Sequence, residues 1–155
     1  MRLAIHTLGT RGDVQPYLAL ARGLKEAGYE VVLATAARFE SFVTSHGIPF
    51  APLPDDFLDL MDTPEGRAAL SGRRSLTWTL RLVREVRPMM RRLLDAQWAA
   101  AQGADAIIYH PKALGSVHVA ERLKIPAFRA FTLPGDDADP GVPQPDASLR
   151  RPRSA

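Results

Sequence analysis

The stretch from Leu3 to Tyr17 constrains the fold of this chain more than any other. It begins with a short apolar run, passes through a turn that contains Gly9 and Gly12, and enters a helix at about Pro16. Continuous apolarity before a glycine-rich turn predicts a strand that is covered on both faces, as in a parallel sheet. Because ligands of open α/β sheets bind outside the carboxyl ends of the strands, this turn is a candidate ligand site.

The chain continues with alternating strand and helix patterns as far as residue 134. Further strands are predicted over residues 31–34, 48–53, 105–110 and 125–131, and further helices over residues 39–46, 75–102 and 113–123. Pro88 is expected to kink or break the longest helix, because proline cannot donate a backbone hydrogen bond. The βαβαβ order with right-handed crossovers predicts an α/β fold, a Rossmann-like parallel sheet with helices on both faces.

Composition narrows the function classes. The 155 residues suffice for one domain with a core, and the net charge of +3 gives only weak support for nucleic-acid binding because no such module is visible. The absence of cysteine excludes disulfides and thiolate chemistry. No signal peptide or membrane-spanning apolar run is visible, so a cytoplasmic location is expected.

An acidic segment at residues 54–74 lacks the spacing of a metal-binding loop and is predicted to be a surface loop. Its aspartates are Asp55, Asp56, Asp59 and Asp62.

Asp13 has two interpretations. An aspartate just before a helix is a common N-cap, because its carboxylate accepts hydrogen bonds from the first-turn N–H groups. At the carboxyl edge of a sheet it is also a candidate general base. Spacing alone favours the cap.

The Gly9-x-x-Gly12 spacing is neither the dinucleotide motif nor a P-loop, so it indicates either a tight turn or a loop that holds a polar ligand.

Two histidines lie near the same edge of the predicted sheet. His6 falls within the first strand, where a packed core histidine is the more common outcome. His110 closes the strand predicted over residues 105–110, at the edge that carries Gly9 to Asp13. His110 is therefore the better candidate for ligand contact.

The most basic region of the chain is its central part. Its arginines are Arg67, Arg73, Arg74, Arg81, Arg84, Arg87, Arg91 and Arg92. A solvated helix face is the ordinary interpretation. The alternative is a peripheral contact of residues 67–92 with anionic lipid, worth about 1 kcal/mol for each basic residue near the surface.

Two groups of segments resemble the N-terminal domain of family 28 glycosyltransferases, and within it the sterol glucosyltransferases and antibiotic-modifying glycosyltransferases. The first group is GTRGDVQPY (residues 9–17), AGYEV (27–31) and FESFV (39–43). The second is SVHVAERLKIP (116–126) and FRAFTLP (128–134). The resemblance covers residues 1–134, which are identified as that domain.

The resemblance implies the N-terminal half of a GT-B fold, in which this half binds the acceptor and a C-terminal half binds the nucleotide sugar. It implies a hexosyltransferase that uses a donor such as UDP-glucose, inverts the anomeric carbon, and needs no metal or other cofactor. The acceptor would be a sterol, lipid or polyketide-like alcohol. Asp13 would be the catalytic base, and the substrate-binding residues would be Gly9, Thr10, Arg11, Gly12 and His110.

Residues 135–155 depart from the family pattern, since they are rich in proline, aspartate and arginine and contain no aromatic residue. Such a segment cannot bury enough surface to offset its ordering entropy, so it is expected to be disordered, or the product of a frameshift. The donor-binding domain is then expected to be absent. The alternative function is a non-catalytic module that binds a hydrophobic acceptor or assists a separate donor subunit.

Overall fold

The computed structural model describes residues 1–56, 59, 63–64 and 76–132. These ranges contain a five-stranded parallel sheet with the strand order β3-β2-β1-β4-β5. The strands are β1 (Arg2–His6), β2 (Glu30–Ala36), β3 (Phe50–Leu53), β4 (Ala106–Tyr109) and β5 (Ala127–Arg129). The two outermost predicted strands are therefore shorter than their apolar runs, because only the residues that pair with a neighbour join the sheet.

Four described helices cover both faces of the sheet, as predicted. They are α1 (Arg11–Glu26), α2 (Glu40–Thr44), which follows a 3-10 turn over Ala37–Phe39, α3 (Leu76–Ala100) and α4 (Gly115–Leu123). Leu3 and Ile5 of β1 pack on the side of α1 and α2, whereas Ala4 packs on the side of α4. None of the helices in the described ranges is both long and apolar enough to cross a membrane.

The order of the strands reverses direction between β1 and β4. The chain moves outward from β1 through β2 to β3, and then returns to the other side of β1 to form β4 and β5. The His110 N–H donates to the carbonyl of His6, 2.8 Å away, and so joins the ends of the two central strands. In doubly wound sheets this reversal opens a crevice that binds ligands. Asp13 and His110 both lie beside it.

The prediction that the first helix begins near Pro16 is wrong. α1 begins at Arg11, with extended Thr10 as its N-cap, and Pro16 lies inside it. The reason is that the Asp13 carboxylate accepts the backbone N–H of Thr10 and thereby closes the first turn early. Asp13 does contribute to capping, but from the third helical position and not as the N-cap.

Pro88 does not break α3, which continues through it to Ala100. Pro88 is exposed, and so is Arg84, whose carbonyl loses the hydrogen bond that Pro88 cannot donate. Solvent can form a hydrogen bond to a carbonyl on that face, so the helix tolerates the proline.

Within the predicted acidic loop, Asp55 and Asp59 pair with Arg38, and Asp56 pairs with Arg92. Asp62 lies outside the described residues.

His6 is a core residue. Its side chain is fully buried at the end of β1, and its Nδ1 lies 2.9 Å from the hydroxyl of Ser116 on α4. Its Nε2 has no hydrogen-bond partner in the part of the chain that the structure describes. Burial disfavours the imidazolium form and lowers the pKa of His6 from 6.5 to about 4.

This burial predicts a loss of stability in acid. Above pH 6.5 His6 is neutral in both the folded and the unfolded chain, so its burial has no effect on the pH dependence of stability. Between pH 6.5 and about 4 the unfolded chain binds a proton at His6 that the folded chain does not bind. The free energy of unfolding should therefore fall by about 3 kcal/mol as the pH drops from 6.5 to about 4. Urea unfolding at several pH values, compared with a His6→Gln variant, measures this difference. Identical pH profiles for the two proteins would contradict the assignment.

Candidate functional site

The reversal between β1 and β4 brings Asp13 and His110 together. Their side chains approach to 3.5 Å between Nε2 of the histidine and Oδ1 of the aspartate. Asp13 sits in the first turn of α1, which follows β1, and His110 directly follows β4. The carboxyl ends of parallel neighbours share one edge, so residues 97 positions apart in the chain become neighbours.

The second carboxylate oxygen of Asp13 is held within its own turn. Oδ2 accepts the backbone N–H of Thr10 at 2.8 Å and the Thr10 hydroxyl at 3.1 Å. The hydroxyl of Thr7 donates in turn to the backbone carbonyl of Asp13, 3.2 Å away. The carboxylate is thus oriented by the chain segment that links β1 to α1, and Oδ1 is left facing the crevice.

Gly9 makes room for this carboxylate. Its φ of +133° is unfavourable for residues with a side chain, and a Cβ at this position would lie 2.2 Å from Oδ2 of Asp13. Gly12 differs, because its φ is not positive and a Cβ there would meet only the Thr10 hydroxyl oxygen, at 3.7 Å. The turn itself therefore requires the first glycine and not the second.

Lys112 is a site residue that the sequence analysis missed. Its ammonium lies 2.8 Å from Oδ1 of Asp13, and its backbone N–H donates to Nδ1 of His110 at 3.0 Å. A nitrogen that accepts a hydrogen bond carries no proton, so neutral His110 has its proton on Nε2, facing Asp13. Lys112 follows the last residue of β4 by three positions. The argument that ligands bind at the carboxyl ends of the strands, which indicated His110, therefore also applies to Lys112.

Burial and charge set the protonation of the cluster. Burial raises the pKa of Asp13, but the hydrogen bonds from Lys112 and Thr10, with the lysine charge, outweigh it, so the pKa lies below its ordinary value. Burial also lowers the pKa of His110; the Asp13 charge opposes this and the Lys112 charge adds to it. At neutral pH the cluster therefore contains an ionised aspartate and a neutral histidine.

Tyr17 lies one turn after Asp13 on α1. Its ring meets the His110 ring edge-on, with centroids 5.6 Å apart, and its hydroxyl donates to the carbonyl of Ala130 after β5. Burial, followed by the charge of Asp13, raises the pKa of Tyr17 to about 12. Tyr17 thus holds the imidazole in place and connects α1 to β5.

Arg11 is not part of this cluster. Its guanidinium lies 4.6 Å from the centre of the Phe42 ring, and the described residues include no ion pair between Arg11 and Asp13. Its role in substrate binding stays a prediction, as do those of Gly9, Thr10, Gly12 and His110. Over the ranges that the structure covers, no three histidine, aspartate and glutamate side chains are grouped to hold a metal ion.

The arginine-rich region is only partly described. On α3, Arg84 and Arg87 are exposed, whereas Arg91 pairs with Asp95 and Arg92 with Asp56. The lipid contact expected of residues 67–92 stays a prediction, and Arg67, Arg73 and Arg74 lie outside the described residues.

Comparison with known proteins gives consistent matches. The model of the glycosyltransferase family 28 N-terminal domain matches residues 3–136. Sterol 3-beta-glucosyltransferase from Aspergillus fumigatus is 40% identical over 134 residues, which are 86% of this chain and 9% of the relative. The enzyme of that name from Eremothecium gossypii is 40% identical over 132 residues, or 83% of this chain and 10% of the relative.

Solved structures share the fold. The glycosyltransferase SsfS6 from Streptomyces sp. SF2575 matches with a TM-score of 0.59 and 27% identity over 83% of this chain and 38% of its own, and it has also been solved with thymidine diphosphate. The calicheamicin glycosyltransferase CalG4 matches with a TM-score of 0.61 and 17% identity, over 83% of this chain and 31% of its own. These matches confirm the predicted α/β, Rossmann-like half of a GT-B fold. The chain spans about a tenth of the length of the curated relatives it matches.

Proposed function

The chain belongs to glycosyltransferase family 28, and we propose that it is the acceptor-binding half of an inverting, metal-independent hexosyltransferase. The donor would be a UDP-sugar and the acceptor a sterol or similar hydrophobic alcohol. The observation that carries the proposal is the Asp13 carboxylate, held at the switch point of the sheet with Oδ1 directed at the crevice. The names of the relatives support the sterol acceptor.

The proposed reaction needs one base. Asp13 accepts the proton of the acceptor hydroxyl through Oδ1 as that oxygen forms a bond to the anomeric carbon of the sugar. The bond from this carbon to the nucleoside diphosphate breaks on the opposite face, and the nucleoside diphosphate leaves with the bonding electrons. A single displacement of this kind inverts the anomeric carbon. His110, with its proton on Nε2, keeps Oδ1 oriented for the transfer.

Exposed apolar side chains on α3 and at the start of α4 support a hydrophobic acceptor. Gly115, at the start of α4, lies against Leu94 of α3, which places this part of α3 level with the carboxyl edge of the sheet. The residues of α3 before Leu94 therefore extend beyond that edge. Val86 and Met90, one turn apart on this extension, are 40% and 45% exposed, and Leu114 is 62% exposed. Exposed apolar side chains on this side of the sheet favour an apolar ligand.

The proposal is tested with a chimera, because this chain spans 9% of its Aspergillus fumigatus relative. Residues 1–134 would replace the matching segment of that sterol 3-beta-glucosyltransferase. We expect the chimera to transfer glucose from UDP-glucose to ergosterol, measured by chromatography of the radiolabelled product. Sterol binding without turnover by a folded chimera would instead support the non-catalytic binding module. Neither binding nor turnover would contradict both functions.

A further inference from the structure

We propose that Lys112 is the counter-ion of Asp13 in the resting protein and leaves Oδ1 when the acceptor hydroxyl takes its place. The proposal rests on the proposed function only for the role of Asp13 as the base. The ion pair itself can be measured on this chain alone. Lys112 is thus a positioning residue, which acts through the state of the aspartate.

The carboxylate of Asp13 already accepts three hydrogen bonds in the resting structure. Oδ2 is occupied by two donors of Thr10, while Oδ1 faces the Nε2–H of His110 and contacts the Lys112 ammonium. An acceptor hydroxyl that approaches Oδ1 competes with the Lys112 ammonium for this oxygen. The ammonium also stabilises the ionised carboxylate, so Oδ1 becomes a stronger base when Lys112 moves away.

Lys112 is the donor that can leave most easily. The Thr10 donors belong to the turn that carries Asp13, and the His110 side chain is only 8% exposed and packs against Tyr17. The Lys112 side chain is 57% exposed, and an ammonium on a flexible stem regains hydration when it moves away. Its departure frees the oxygen that faces the crevice.

The backbone and side chain of Lys112 have separate roles. The backbone N–H fixes the tautomer of His110 through Nδ1, and the ammonium alone contacts Asp13. Removal of the charge therefore leaves the orientation of His110 unchanged. Lys112→Met is the suitable variant, because methionine keeps an unbranched side chain of similar length and retains the backbone N–H.

The test is a carboxylate titration by NMR on the full chain labelled with ¹³C-aspartate, with the Asp13 signal assigned from Asp13→Asn. We expect Lys112→Met to raise the pKa of Asp13 by about 1 unit or more, and Lys112→Arg to restore a low value. Lys25→Met is the matched control, since the Lys25 ammonium bonds to the carbonyl of Gly47 and should not affect Asp13. An unchanged pKa of Asp13 in a folded Lys112→Met would overturn the proposal.

Two further measurements keep the proposal testable. If Lys112→Met does not fold, added salt should still raise the pKa of Asp13 in the unmodified chain, and a pKa insensitive to salt would count against the ion pair. In the chimera, Lys112→Met should shift the acidic limb of the kcat/KM profile to higher pH. A tenfold loss of kcat would instead make Lys112 a catalytic group and overturn its role as a displaced counter-ion. An inactive chimera would defeat the proposed function and leave the titration result standing.

Discussion

Asp13→Asn should lower the kcat of the chimera by about 10²–10⁴-fold, because general base catalysis contributes about that factor and an amide cannot take the proton. The fold should persist, since the amide oxygen of asparagine can still accept the Thr10 N–H that closes the first turn of α1. Initial rates with UDP-glucose and ergosterol at pH 7.5 measure the effect. Circular dichroism checks that the variant is folded.

Asp95→Asn provides the matched control for this loss. Asp95 pairs with Arg91 on the exposed face of α3, outside the crevice cluster, and should change the rate less than about twofold. If Asp13→Asn also retains its rate within this margin, Asp13 is left with its capping role alone. The proposed reaction would then need another base.

Gly9→Ala should lower the free energy of unfolding by about 2–4 kcal/mol, through a strained backbone and a displaced cap. The new methyl group would enter space occupied by the Asp13 carboxylate, because the Cβ position lies 2.2 Å from Oδ2. The carboxylate must then rotate away, and its hydrogen bonds to Thr10 are lost. Urea unfolding of the 155-residue chain measures the change.

Gly12→Ala separates this effect from a general cost of losing a glycine. Gly12 is helical and exposed, and its Cβ position has ordinary clearance, so alanine should leave stability unchanged or raise it by up to about 1 kcal/mol. Equal destabilisation by the two variants would mean that the turn does not hold Asp13 as described.

The order of strands and helices could be read from the sequence because it depends on local pattern. Continuous apolar runs, helical periodicity and glycine stops are properties of neighbouring residues, and they placed all five strands and the helices on both faces. The start of α1 could not be placed from pattern, because it depends on a hydrogen bond from Asp13 back to Thr10. Pro16 was a misleading boundary for the same reason.

The candidate site, too, could be predicted only in part from the sequence. The sequence by itself determined that Asp13 and His110 end up at one edge, since both follow strands of a parallel sheet. Only the tertiary structure decided which side chains touch: that Lys112 and His110 share Oδ1 of Asp13, and that Arg11 lies over Phe42 instead. The contacts of Asp13 join residues about 100 positions apart, and the contact of Arg11 joins residues 31 positions apart. Their distances depend on how β1 and β4 pair and on the direction of each side chain, and no local pattern records either.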